Sequence, residues 1–198
     1  MRPDEIGRSY DTIAHLWQEP GLQSNGIPQH ERAIKFVATR NHALDIGCGC
    51  SNRFLVLLRK RGFQIEGIDV SERMLALAKQ THPEISFHHA DICTWNFPLK
   101  YDFISAWDSI WHLPLENQEP VLQKICEGLA DKGVFIFTTG GVDKPEEKVD
   151  SCMGPSVYYS VLGIPKTLEL LTRFGCICRH LEYDQLPEPH VYIIAQKV

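Results

Sequence analysis

No apolar run in the chain comes near the roughly 18 residues that a membrane span needs. The opening MRPDEIGRSYDTIAHLW also lacks the hydrophobic core of a secretory signal. A soluble cytoplasmic protein with no membrane partner is expected. Basic excess is missing as well: 20 Lys and Arg against 25 Asp and Glu give a formal charge of −5. Apart from the cluster Arg59, Lys60 and Arg61, nothing provides a positive field for a phosphate backbone, so nucleic acid is not an expected partner. There is no CxxC pair among the seven cysteines, which argues against zinc and for buried thiols. Cys176 and Cys178 would share one face of a strand, whereas the adjacent His88 and His89 would point to opposite faces and could not readily share an ion. No metal site is expected. Internal repeats and low-complexity linkers are absent too, so 198 residues at 43% apolar composition predict a single domain over residues 1–198.

From residue 42 onward, strand-like and helix-like segments alternate, the pattern of an α/β domain. HALDI is a short apolar strand. Ser51 or Asn52 is placed to cap a helix through RFLVLLRKR that Gly62 would end. FQIEGID follows as a second strand, then a helix capped by Ser71 that stops at His82-Pro83, and EISFHHAD as the third strand. YDFISAW, the helical EPVLQKICEGLADKG and GVFIFTTG continue the alternation. Residues 140–160, rich in Gly, Pro and charge, read as a long surface loop. Pro165 would open a helix through KTLELLTRF that Gly175 would close. CICRHLEYD and HVYIIAQKV then form an antiparallel strand pair joined by QLPEP. Residues 3–40 read as two helices separated by EPGLQSNGIPQ.

The first strand runs into ALDIGCGCSNRF, a glycine-rich turn before a helix, where the backbone can approach a ligand closely. The nicotinamide fingerprint requires G-x-G-x-x-G. Here Gly47-Cys-Gly-Cys-Ser-Asn lacks the third glycine. The stretch instead resembles the first motif of the class I S-adenosylmethionine-dependent methyltransferases, an acid before a glycine pair, matched by Asp45, Gly47 and Gly49. IEGIDVSERM resembles their second motif, with its acid at Asp69. HHADI resembles the third, with Asp91, and YDFISAWDSIWHL the fourth. The resemblance covers roughly residues 40–198. It implies a Rossmann-like, doubly wound seven-stranded sheet, mostly parallel with an antiparallel C-terminal strand, below an N-terminal helical lid formed by residues 1–40.

The resemblance also implies S-adenosyl-L-methionine as cofactor. Asp45, Gly47, Cys48 and Gly49 would bind it at the turn, Asp69 would accept the ribose hydroxyl hydrogens with Val70 beside it in the cofactor site, and Met74 and Ile92 would give apolar faces to the adenine. Asp91 would accept from the exocyclic amine, and Trp107 would face the methionine portion. YDTIAHLW resembles the leading segment of many small-molecule methyltransferases, which implies that Tyr10 and Trp17 fold over the cofactor. For the acceptor side, His112 and Asp108 are the candidate catalytic residues, with His15 a further histidine in reach of that task. Tyr158 and Tyr159 are candidate pocket walls. AWDS differs from the Asn/Asp-Pro-Pro-aromatic signature of enzymes methylating planar amino groups, and no Pro-Cys nucleophile occurs. The expected activity is methyl transfer to a small-molecule O, N or S acceptor. The alternatives are a non-catalytic cofactor- or partner-binding module on the same fold, which would enclose no acceptor pocket, and a protein or RNA methyltransferase, which would show a basic rim.

Overall fold

A computed structural model describes residues 1–18, 25–51, 53–151 and 154–198. β1 (His42–Ile46) and β4 (Tyr101–Ala106) are almost wholly buried, the near-continuous apolar character of strands covered on both faces. They form the centre of a seven-stranded sheet ordered β3-β2-β1-β4-β5-β9-β8. The remaining strands are β2 (Gln64–Asp69), β3 (Ser86–His89), β5 (Leu129–Gly140), β8 (Cys176–Tyr183) and β9 (His190–Lys197). β9 runs antiparallel to both β5 and β8, while every other pairing is parallel.

The helices follow the sequence signals. In α3 (Arg53–Lys60), Phe54, Leu55, Leu57 and Leu58 are buried. Gly62 follows it in the left-handed region, at φ 96°, as a helix stop requires. The Ser71 hydroxyl accepts from Met74 N (3.1 Å) to cap α4 (Glu72–Thr81). α6 (Ile164–Arg173) opens with Pro165 and is followed by Gly175 at φ 74°. The alternative cap Asn52 lies outside the described residues, as does most of the first loop.

Strand alternation sorts the core onto two faces. Leu44 and Ile46 of β1 pack with Ile104, Phe135, Ile193, Ile125 and Leu170. Ala43 packs with Phe103, Ile136 and Ile194 beneath Phe54, Leu58 and Ile34, the last from α2 (Ile27–Ile34).

Three boundaries differ from the sequence reading. The helix expected at 119–133 is α5 (Leu115–Gly128), and the chain enters β5 at Leu129. Gly128, expected inside the helix, ends it where an added Cβ would lie 2.0 Å from the Phe97 ring. The third strand is shorter, four residues. Residues 140–160 are not simply a loop but hold a hairpin, β6 (Glu146–Asp150) paired antiparallel with β7 (Val157–Val161). The exposed EEKVD strand has no apolar alternation to announce it. VYYSV supplies what the hairpin buries, with Val157 and Tyr158 packing on Ile6 of α1 (Pro3–Ile13).

α1 closes over the carboxyl edge of the sheet. Gly7 makes this close approach possible, since a Cβ there would lie 2.5 Å from Val70 O. Asp11 fastens the helix by accepting from Ser71 Oγ (2.6 Å) and Arg73 N (2.9 Å) at the start of α4. A carboxylate at a helix N-terminus is favoured by the free amides and the dipole.

Candidate functional site

Where β1 and β4 leave the sheet, the strand order reverses, and this is the place where open α/β sheets bind ligands. A cavity of about 320 Å³ lies there, within the range of small-molecule sites. Its floor is the turn after β1. Gly47 has φ 70°, and an added Cβ would lie 2.2 Å from Ser109 Cβ; Ser109 Oγ itself donates to Ile46 O (2.7 Å). Gly49, at φ 56°, faces open space, with no atom within 4 Å of an added Cβ. The two glycines thus serve different ends: one admits the chain after β4, the other leaves room for a ligand.

Asp69 ends β2 beside this turn. Its carboxylate accepts from Gly49 N (2.8 Å) and Ser71 N (2.8 Å). Burial raises its pKa against these bonds, which favour the charged form. Val70, Met74, Asp91 and Ile92 complete that end of the cavity, and Asp91 Oδ1 also accepts from Cys93 N (2.8 Å) in its own turn. Trp107, Asp108, Trp111, His112 and Tyr159 line the end beside the exit of β4, and Tyr10 and Trp17, which also line the cavity, pack with Met74.

Cys48 lines the cavity, but its sulfur packs toward Gly67, and burial pushes the thiol well above its ordinary range. Cys50 is buried with Tyr10, Trp17, Met74 and Leu77. Both behave as small apolar residues.

Asp45 does not line the cavity. Strand alternation turns it to the Ala43 face, under α2, where it meets Ser105. His30 of α2 lies behind, its Nδ1 donating to Gly26 O (2.8 Å) and its Nε2 2.9 Å from Ser105 Oγ. Burial holds this histidine neutral, near a pKa of about 3, so Nε2 can only accept from Ser105. Burial raises Asp45 to about 7, against its bond with Ser105 and the nearby charge of Arg53, which favour the charged form. The motif acid thus lies beneath the turn, outside the residues that line the cavity.

His112 is the hub of the cap rather than an open base. Its Nδ1 donates to Tyr158 O (2.8 Å), while Nε2 accepts from Tyr10 OH (2.8 Å) and Trp111 Nε1 (3.1 Å). Burial lowers its pKa to about 4. The ring is neutral, and its lone pair is already engaged. Tyr159 stacks obliquely on it, with centroids 4.7 Å apart. Tyr158 is buried behind and does not line the cavity, and His15 is exposed outside it. His88 bonds Glu66 (2.8 Å) and His89 bonds Val70 O (3.1 Å), so their rings turn to different partners. Among the described residues no cluster could hold a metal ion.

Asp108 does line the cavity. It lies just past β4 at φ 52°, with its amide donating to Thr138 Oγ1 (2.7 Å). Two residues beside it carried no sequence motif. Arg53 lines the same end, its Nε donating to Asn25 O (2.8 Å) and Nη1 to Ser51 Oγ (2.8 Å); burial lowers its pKa. His190 stands 3.0 Å from Asp108. It begins β9, whose antiparallel course brings that residue to the edge where the parallel strands end. The antiparallel pair was legible, and its upper end was the available signal.

Residues 43–133 match the family model described as a methyltransferase domain. The chain is 32% identical over 125 residues to the carboxy-S-adenosyl-L-methionine synthase of Nitratiruptor sp., covering 60% of this chain and 52% of that protein. It is 34% identical over 144 residues to a trans-aconitate 2-methyltransferase of Acidovorax sp., covering 68% and 54%. The chain thus spans about half the length of these curated relatives. Among solved structures, the PH0226 protein of Pyrococcus horikoshii superposes with a TM-score of 0.74 at 20% identity, over 92% of this chain and 93% of that one. Residues 43–133 thus carry a methyltransferase domain, set in a sheet whose order around the glycine turn gives the fold shared with solved S-adenosylmethionine-dependent methyltransferases.

Proposed function

We propose that residues 1–198 act as one domain that binds S-adenosyl-L-methionine and transfers its methyl group to a small-molecule acceptor, in the cytoplasm. The observation that carries this reading is Asp69: a carboxylate 2.8 Å from the amide of Gly49, at the mouth of a cavity whose glycine turn leaves open space beside that same residue. The donor set fits the cofactor. Asp69 has lone pairs to accept both ribose hydroxyls, Asp91 accepts from the adenine amine, and Val70, Met74 and Ile92 give the ring apolar faces. Tyr10 and Trp17, 5.4 Å apart and edge to face, cover the methionine end and exclude water, and Trp107 walls the passage to the acceptor.

When bound, S-adenosyl-L-methionine supplies an electrophilic methyl carbon on a sulfonium. The chain's task is then to hold the acceptor in line and keep the site dry, and such positioning supplies much of the acceleration. Asp108, on the cavity wall with one oxygen on His190, is the group placed to orient an acceptor, since the lone pair of His112 is engaged. The cap also favours catalysis over a bare binding module: Pro3, Ile6, Tyr10 and Trp17 from residues 1–40 and Tyr159 from the hairpin region all wall the cavity.

Calorimetric titration tests the reading. The wild-type protein is expected to bind S-adenosyl-L-methionine, with NAD giving no heat, and Asp69→Asn is expected to weaken binding by about tenfold or more, as loss of a charge-assisted hydrogen bond does. Unchanged affinity in a folded variant would remove Asp69 from the site, and preferential NAD binding would overturn the function.

A further inference from the structure

At the acceptor end, a carboxylate, an imidazole and a second carboxylate stand in a row. His190 Nε2 lies 3.0 Å from Asp108 Oδ1, and His190 Nδ1 lies 2.5 Å from Asp184 Oδ1. The second oxygen of Asp184 accepts from Gln29 Nε2 at 2.7 Å. The side chains of His190 and Asp184 are buried, 8% and 5% exposed, while Asp108 is 34% exposed and lines the cavity. Trp111 and Trp107 flank the imidazole, at 5.6 and 5.8 Å between centroids. The order is thus a buried anchor, a buried imidazole and an open carboxylate.

A neutral imidazole carries one N–H and would set its bare nitrogen against one of the two carboxylates. An imidazolium donates to both. Burial lowers the pKa of His190, but the hydrogen bonds and charges of Asp108 and Asp184 outweigh it, and the balance is raised. The other charged or titratable groups facing Asp108 are Arg53 and His112. The left-handed backbone of Asp108, uncommon for a residue with a side chain, aims the carboxylate at both His190 and the cavity.

We propose that His190, backed by Asp184, is a positioning residue that holds the Asp108 carboxylate open to the acceptor end of the cavity, where it takes a hydrogen bond from an acceptor bearing a hydroxyl or amine hydrogen. This rests on the methyltransferase reading and deepens it. Acceptors with no hydrogen beside the methylated atom, such as thioethers and tertiary amines, give Asp108 nothing to accept.

The test uses the full chain in two measurements. Nitrogen-resolved NMR of the histidine rings is expected to show both nitrogens of His190 protonated at pH 7, with the midpoint falling in Asp184→Asn and in Asp108→Asn. A neutral wild-type ring at that pH overturns the clamp. In the second measurement, labelled methyl donor is offered with catechol and benzylamine as hydrogen-bearing probes, and with thioanisole and N,N-dimethylbenzylamine as hydrogen-free ones. Transfer to a hydrogen-bearing probe is expected. His190→Asn and Asp184→Asn should lower kcat about tenfold or more, reshape its pH profile and leave cofactor affinity within about twofold. Transfer only to hydrogen-free probes, transfer to none, or wild-type kcat and pH profile in both variants overturns the inference. Loss of S-adenosyl-L-methionine binding by the wild-type protein would instead count against the methyltransferase reading itself.

Discussion

Two buried groups make opposite contributions to the pH dependence of stability. His112 has its folded pKa lowered to about 4, so below the unfolded histidine value the unfolded chain binds the extra proton. Stability is expected to rise as pH climbs from about 4 to about 6.5, by on the order of 3 kcal/mol. Asp45, raised to about 7, holds its proton in the folded state after the unfolded carboxyl has released one. Stability is expected to fall as pH rises from about 4 to about 7. Denaturant unfolding across pH separates the two. The difference between wild type and His112→Asn should shrink toward acid pH, whereas Asp45→Asn, which has no carboxylate to charge in a buried place, should gain on wild type toward pH 8. Parallel curves for a variant and wild type would refute the assignment for that residue. At this scale, the sequence showed that Asp45 and His112 matter but not how: a motif marks a position, while the direction of a side chain depends on strand phase and on partners such as Ser105, His30 and Tyr158 from distant segments.

At the scale of elements, the glycine turn and the cap helix carry the sharpest expectations. Gly47→Ala would drive a Cβ to 2.2 Å from Ser109 and hold alanine in the left-handed region. A loss of about 2–4 kcal/mol is expected in chemical denaturation. Gly49→Ala has the backbone strain but no clash, so a loss of about 1–2 kcal/mol is expected, with the larger effect on cofactor affinity, where the open space is used. Equal stability losses for the two would contradict this division of labour. Gly7→Ala, which improves helix propensity, should nonetheless lift α1 from Val70 and weaken cofactor binding, read by calorimetry. Most elements were legible because capping residues and apolar periodicity agree, as at Ser71 and in RFLVLLRKR. The β6–β7 hairpin was not, because its outer strand has no buried side and its inner strand finds its apolar contacts in distant segments, Val157 and Tyr158 on α1 and Tyr159 on Trp111.

For the whole molecule, the cofactor is expected to couple parts of the chain that are far apart in sequence. α1 is tied to α4 through Asp11, β7 to the cap through Val157 and Tyr158, and α2 to the end of β8 through Arg32 and Glu182. At 100 times Kd, S-adenosyl-L-methionine should stabilise the fold by about 2.7 kcal/mol, with hydrogen exchange slowing in α1 and β7 as well as in the glycine turn. Protection confined to residues 46–50 would show that the cap does not respond to the cradle. The α/β class was legible from the alternation of segments and the antiparallel terminal pair from its short connection, while the doubly wound sheet followed from the family resemblance. The approach of His190 to Asp108 was not, since it joins residues 82 positions apart through the reversal of one strand.

That reversal divides the labour of the chain. The cradle is built by residues before Ser109, whereas the groups that fix Asp108 from behind come from the last hairpin, Cys176–Lys197, which contributes no side chain to the cavity wall. If His190 and Asp184 hold Asp108 as proposed, a change in the terminal hairpin would alter the set of that carboxylate without touching any residue that lines the cavity. Exchanging this hairpin between relatives is then expected to shift acceptor turnover while leaving S-adenosyl-L-methionine affinity in place.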